Sequence, residues 1–354
     1  MSRTTQPPVT EQPRVTAHAG TTQPRLIALI ALISLITGLA FATAQTAFPQ
    51  QPVPPGLSLS DPADSSASLA HAQALIQAER FTEAEAALRA YLLADRGSDP
   101  SSDPRSGHAH YLLAYALLRQ NRPKESLEEY TRAAAFETPS AEDLNNVGQA
   151  YVLLNDFVDA GKWITRAADM DAKNPDIWYS LGRLRYSEQK YAEAAECFQK
   201  TLLLAPASVK AENNLGLSYE GLNRPDDAIA AYRQAIVWQD ANPPKKISEQ
   251  PLLNLATALL HQGKLSDAQP LLLRAVALAP EDPRIREQLG HLYLQLGSFA
   301  EAAAQLEAAT RLDPRESRLH FLLGQAYRRL GRQQEAKEQF DLAGRLANPL
   351  TSPK

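Results

Sequence analysis

The sequence holds one cysteine, Cys197, among 354 residues. A disulfide, a CxxC redox site or a thiolate zinc cage within one chain is therefore excluded, and the fold must rest on packing. Cys197 neighbours the apolar Phe198 and reads as a small packed residue rather than a nucleophile. An excess of positive charge is also missing, with 36 Lys+Arg against 40 Asp+Glu. Residues 1–44 carry Arg3, Arg14 and Arg25 against Glu11, so the remainder holds 33 basic and 39 acidic residues, a formal charge of −6. Such a body lacks the concentrated basic surface that displaces counterions from phosphates, which sets nucleic acid aside as a partner. The patterns GxSxG, HExxH, Walker and GxGxxG do not occur. His108 and His110 are two apart and do not share a helix face, and His291 and His320 have no acidic cluster beside them. No catalytic, cofactor-binding or metal-binding residue is expected, and the chain does not read as an enzyme.

Long apolar runs are scarce, with one exception. Residues 26–42 (LIALIALISLITGLAFA) carry no charge and follow Arg25. A positive flank, an apolar stretch and the small-x-small tripeptide Ala42-Thr43-Ala44 are the parts of a secretory signal peptide, with cleavage expected before Gln45. The alternative is an uncleaved signal anchor that holds the chain to the membrane. Both readings of residues 1–44 place the body beyond the inner membrane, periplasmic or secreted in one case and membrane-anchored in the other. Residues 45–64 are rich in Pro and small polar residues and read as a tether. Residues 351–354 form a short tail.

What is abundant is repetition. Ala114, Gly148, Gly182 and Gly216 recur every 34 residues, and so do Ala256, Gly290 and Gly324. The longer steps, from Ala72 to Ala114 and from Gly216 to Ala256, are explained by insertions at residues 99–106 and 243–248, between hairpins where loops tolerate length. Counting this small residue as eighth, eight units begin at Ser65, Gly107, Ala141, Pro175, Val209, Glu249, Pro283 and Ser317, and the array runs over residues 65–350. The twentieth position is again small: Ala84, Ser126, Ala160, Ala194, Ala228, Ala268, Ala302 and Ala336. The twenty-fourth is large and apolar throughout, from Leu88 and Tyr130 to Leu306 and Phe340. At the eleventh, only Arg185 breaks an apolar column. Small residues mark where two helices cross closely, and large ones interlock around the crossing. Each unit reads as helix, turn, helix, stop, and one hairpin cannot bury its own apolar face. The fold class expected is all-α, a solenoid of antiparallel helix pairs.

This spacing, with segments such as Trp178-Tyr179-Ser180-Leu181-Gly182, Tyr191-Ala192-Glu193-Ala194-Ala195 and Asn213-Asn214-Leu215-Gly216-Leu217-Ser218-Tyr219, resembles the tetratricopeptide repeat (TPR) family. The resemblance implies a right-handed superhelix in which the first helix of each unit lines a concave groove. It also implies a binding scaffold whose partner is a protein or peptide segment. Projecting the family's groove positions onto this chain gives Tyr111, Tyr115, Asn145, Asn146, Gln149, Tyr179, Arg183, Tyr186, Asn213, Asn214 and Asn254 as candidate peptide contacts. Tyr supplies contact area and a hydroxyl at low entropic cost, and Asn amides both donate and accept. Arg284, Arg318, Arg328 and Arg329 make a basic end of the groove, suited to an acidic segment or a terminal carboxylate. The Lys of the family's carboxylate clamp is absent at the fifth position, so chaperone-tail recognition is not expected. The functional expectation is an exported scaffold that assembles or positions an envelope or secretion complex. The competing expectation is a membrane-tethered structural protein that self-associates through its solenoid ends, because no extra polar helix follows the last unit to cap it.

Overall fold

Each repeat folds as two helices because its apolar residues recur at helical spacing and a turn residue separates them. The computed structural model describes residues 62–94, 104–244 and 247–347. The described residues form sixteen helices and contain no strand. In chain order the hairpins are α1 (Pro62–Gln77) with α2 (Phe81–Ala94), α3 (Pro104–Arg119) with α4 (Pro123–Ala133), and α5 (Ala141–Leu153) with α6 (Phe157–Met170). Next come α7 (Pro175–Ser187) with α8 (Tyr191–Leu204), and α9 (Val209–Gly221) with α10 (Pro225–Ala241). The last three are α11 (Gln250–His261) with α12 (Leu265–Leu278), α13 (Pro283–Leu296) with α14 (Phe299–Leu312), and α15 (Ser317–Arg329) with α16 (Gln333–Ala347). None of the described helices is long and apolar enough to cross a membrane. The apolar segment 26–42 and the tether up to residue 61 lie outside the described residues.

Two helices start earlier than the repeat phase suggests. α1 opens at Pro62, inside the stretch read as tether, and α3 opens at Pro104, inside the insertion 99–106. Proline suits the first helical position, since its fixed φ is already helical and its missing N–H would have no partner there. The second insertion follows a lengthened α10. Buried Gln239 donates from Nε2 to the Ser248 carbonyl (2.9 Å) and accepts from the Ser248 N–H (3.1 Å), which pins the far end of that loop.

The small columns are the helix crossings. A methyl group added at Gly148 would lie 2.3 Å from Ile164, at Gly182 2.7 Å from Phe198, at Gly216 2.5 Å from Tyr232 and at Gly290 2.6 Å from Leu306. The eighth position of each of these units is thus pressed against its own twenty-fourth. Ala84, Ala160, Ala194, Ala228, Ala268 and Ala302 are fully buried, and so are Leu88, Ile164, Phe198, Tyr232, Leu272 and Leu306. Each such large side chain contributes about 1.5–3 kcal/mol by leaving water. Where Ser126 replaces alanine, its hydroxyl donates to the Ala114 carbonyl (2.7 Å), so the polar atom is satisfied at the crossing. Arg185, the break in the apolar column, turns its guanidinium to Glu188 (2.7 Å) and Glu193 (3.1 Å).

The turn inside each hairpin uses a left-handed residue at the fifteenth position. Glu79, Asn121, Asn155, Gln189, Asn223, Gly263, Gly297 and Gly331 all have φ between 57° and 79°. This conformation closes the first helix with a bond from the next residue back to the eleventh, as from Asp156 N–H to the Tyr151 carbonyl (3.0 Å) and from Arg332 N–H to the Tyr327 carbonyl (2.9 Å). Successive first helices touch each other along the whole array, whereas successive second helices make far less contact. The solenoid therefore curves with α1, α3, α5, α7, α9, α11, α13 and α15 on its inner side.

Candidate binding groove

The inner side is widest in character at its N-terminal end. A cleft of about 610 Å³ opens between α1, α3 and the start of α5, walled by Ile76, Phe81, Tyr111 and Tyr115 and edged by Glu79, Glu137, Glu142 and Asp143. Tyr111 is buried and its hydroxyl donates to the Glu137 carbonyl (2.8 Å), which fixes the ring in the wall. Burial first, then the negative charges of Asp143 and Glu137, hold the Tyr111 phenol well above its ordinary value. Tyr115 packs edge-on to Phe81 at 6.2 Å between centroids, and Arg119 lies 4.9 Å above the Phe81 ring while donating to the Tyr115 hydroxyl (2.9 Å). Asp143 belongs to the capping box of α5, accepting from the Ser140 N–H (2.9 Å) and hydroxyl (2.6 Å). Asn146 lines the same cleft at 7% exposure, with its amide beside the buried Tyr130 hydroxyl. Asn145 is buried, with Oδ1 unpartnered.

Farther along, the polar residues bond to one another across units. Gln149 reaches the Ser180 hydroxyl at 3.5 Å, and both line a second, smaller cleft of about 290 Å³ with exposed Arg183. Asn214 donates from Nδ2 to the Tyr179 hydroxyl (3.0 Å) and to the Lys210 carbonyl (2.7 Å). Tyr179 rests against Phe198 at 5.8 Å, with the Lys210 ammonium 4.7 Å above its ring. Tyr186 meets the edge of Tyr191 at 5.4 Å, and burial followed by the charge of neighbouring Tyr191 and Glu220 raises its phenol. Asn254 donates to Oδ1 of buried Asn213 (2.9 Å). These links form an amide and hydroxyl chain on the inner helices, and they occupy part of the hydrogen-bonding capacity of Tyr179, Asn213, Asn214 and Asn254.

Toward the C-terminal end the arginines have internal partners. Arg284 pairs with Asp282 (2.6 Å) and Arg318 with Glu287 (2.7 Å). Arg328 sits 5.6 Å above Phe340 and Arg329 4.7 Å above Phe299. Burial raises the Glu287 carboxyl, opposed by Arg318, and burial lowers the His291 imidazole, aided by Arg318 and His261. Among the described residues no group of His, Cys, Asp and Glu has the arrangement of a metal site.

The tetratricopeptide repeat profile matches residues 69–143, 179–245, 253–303 and 287–348, more than half of the chain. The chain belongs to the tetratricopeptide repeat family. Its fold is accordingly the TPR right-handed solenoid of antiparallel helix pairs, and it carries a protein-interaction scaffold. It is 25% identical over 168 residues to a peroxisomal targeting signal receptor of Kluyveromyces lactis, covering 47% of this chain and 27% of the relative. It is 31% identical over 105 residues to the type IV pilus assembly protein PilF of Pseudomonas aeruginosa, covering 29% of this chain and 41% of that protein. The crystal structure of PilW, a type IV pilus biogenesis factor, superposes with a TM-score of 0.53 at 23% identity, covering 60% of this chain and 94% of that one. The chain thus spans less than half the length of these two curated relatives, and the likeness to PilW is one of TPR fold.

Several cleft residues were not reached by projecting tyrosines, amides and C-terminal arginines onto TPR groove positions. Arg119 and Glu142 occupy the thirteenth and second positions of their units, so the same projection finds them once charge is considered at the N-terminal end too. Phe81, Glu79 and Glu137 lie in or next to turns, where the repeat columns carry no signal for a groove contact.

Proposed function

We propose that this TPR protein is an exported scaffold that receives a segment of a partner protein in its concave groove and thereby helps assemble or position an envelope or secretion complex. The observation that carries the reading is the inner face itself. Its first helices carry the candidate contacts on consecutive units, and five of them, Tyr111, Tyr115, Asn146, Gln149 and Arg183, line open clefts. Export rests on residues 26–42 and the Ala42-Thr43-Ala44 site, and it accords with the pilus-assembly role in the name of PilF. The segment is cleaved before Gln45 in this reading, and an uncleaved anchor is the alternative. The test is co-purification of partners with full-length variants. Asn146→Ala combined with Arg183→Ala should abolish partner recovery at unchanged helicity. Leu203→Ser, on the opposite face at 81% exposure, should leave it intact. The reverse pattern removes the groove assignment.

A second reading has its own observation. The last described hairpin carries an open cleft of about 730 Å³ lined by Phe321, Phe340, Ala343 and Gly344, with Phe321 49% exposed and Arg318 and Arg328 at its rim. An apolar end of this kind supports self-association through the solenoid end. Concentration-dependent light scattering decides: a strictly monomeric body removes this reading.

A further inference from the structure

We infer that the N-terminal cleft selects a positively charged segment, with a Lys or Arg side chain of an extended peptide seated against Tyr111 and the surrounding carboxylates; this rests on the groove reading above and specifies its occupant. The argument is one of charge complementarity within a formed cleft. Glu79, Glu137 and Glu142 edge the cleft, and none of the three makes an ion pair with another described residue. At the opposite end of the groove Arg284 is matched by Asp282 and Arg318 by Glu287, while Arg328 and Arg329 lie over Phe340 and Phe299. Unbalanced negative charge therefore gathers at the N-terminal cleft, where Glu79, Glu137, Glu142 and Asp143 face Arg119 and the walls are aromatic.

Helix capping explains only part of this acidity. Asp143 serves the capping box of α5, and an acid at Glu142 favours the N-terminal pole of the same helix. Glu79 ends the first hairpin's inner helix in a left-handed turn, and Glu137 follows the second hairpin, so neither is placed by a helix N-terminus. Burial chiefly, and then the negative charges of Asp143 and Glu137, raise the Tyr111 phenol in this wall. The chain itself shows that these rings accept a guanidinium, because its own Arg119 lies over Phe81 and bonds the Tyr115 hydroxyl. Arg119 covers that one corner; Tyr111 and the carboxylates on the α5 side have no such cover.

Asn146 adds a polar group to the lining of the same cleft. Its amide both donates and accepts, so beyond its contact with the Tyr130 hydroxyl it can match one peptide unit of an extended backbone. It is more than nine-tenths buried and faces the cleft. A backbone held by Asn146 places the segment's side chains alternately toward the aromatic wall and toward the carboxylates. The carboxylate side calls for Lys or Arg.

The test is selection from a randomised decapeptide library displayed on phage against the full-length chain, in parallel with the variant Glu79→Gln/Glu137→Gln/Glu142→Gln. These three side chains are exposed, so the variant keeps its helicity and melting midpoint, which circular dichroism checks. Peptides selected by the natural sequence should be enriched in Lys and Arg over Asp and Glu, and the enrichment should vanish with the variant. The best basic peptide, labelled with fluorescein, should bind the variant at least about tenfold more weakly and should lose affinity to the natural sequence as salt screens the carboxylates. Peptides that depend on Asn146 but show no basic enrichment, or whose enrichment survives in the variant, overturn the charge assignment and leave the groove reading standing. Peptides insensitive to both Asn146→Ala and Arg183→Ala, or a selection that yields no peptide, overturn both.

Discussion

Gly182→Ala tests the crossing that builds every hairpin. The added methyl would stand 2.7 Å from Cε1 and 2.9 Å from Cδ1 of the Phe198 ring, and that ring is fully buried between α7 and α8. It has no free end to swing away, so relief requires the two helices to part or the ring to leave its rotamer, at about 1–3 kcal/mol. Replacing Gly by Ala within a helix favours folding by about 1 kcal/mol, which masks part of that cost. Gly161→Ala in α6 provides the reference, because its methyl meets only Leu184 at an ordinary 3.7 Å. The propensity gain is common to both variants, so the difference between them isolates the clash at about 1–3 kcal/mol in favour of Gly161→Ala. Urea unfolding followed by circular dichroism measures it. Adding Phe198→Leu to Gly182→Ala should recover part of the loss, since a smaller side chain frees space at the crossing. Equal midpoints for Gly182→Ala and Gly161→Ala would refute the account of why the eighth position is small.

Other outcomes follow from single environments. Gln189→Gly should stabilise the protein by about 0.5–1 kcal/mol in the same unfolding assay, because Gln189 holds φ 62° at a turn where three other units use glycine. Burial raises the Glu212 carboxyl above its ordinary 4.5, so ionisation costs the folded state more than the unfolded one. Glu212→Gln should therefore raise the melting temperature at pH 7, with the gain shrinking as pH falls and gone below about 4.5. Burial pushes the Cys197 thiol up to about 11, so in the folded protein it should resist iodoacetamide at pH 8 and react at once in denaturant.

The fold was legible because a repeat writes the same contact many times. One glycine at position 182 says little, but Gly148, Gly182, Gly216, Gly290 and Gly324, each paired with a large residue sixteen positions later, specify a crossing. The left-handed turn at the fifteenth position was harder to see, since Glu79 and Gln189 adopt it under the constraint of the hairpin and are not residues that favour it. The helix starts at Pro62 and Pro104 fall in stretches that composition and repeat spacing assign to tether and insertion, because a first-turn proline lies outside the repeat columns. The groove positions were legible as places, less so as chemistry. Sequence columns cannot say that Arg318 is matched by Glu287 one unit earlier, or that Glu79, Glu137 and Glu142 meet around one cleft from three different units. Those juxtapositions arise only when hairpins stack.

The central claim is that the hollow side of the solenoid receives a partner, and photocrosslinking in the native cell tests it most directly. A photoreactive residue at Arg119 or Arg183, exposed on the inner helices, is compared with one at Val158 or Leu203, exposed on the outer ones. The account predicts a discrete crosslinked protein species from the inner positions and none from the outer. The same species from Val158 and Leu203, with nothing from Arg119 and Arg183, would contradict it.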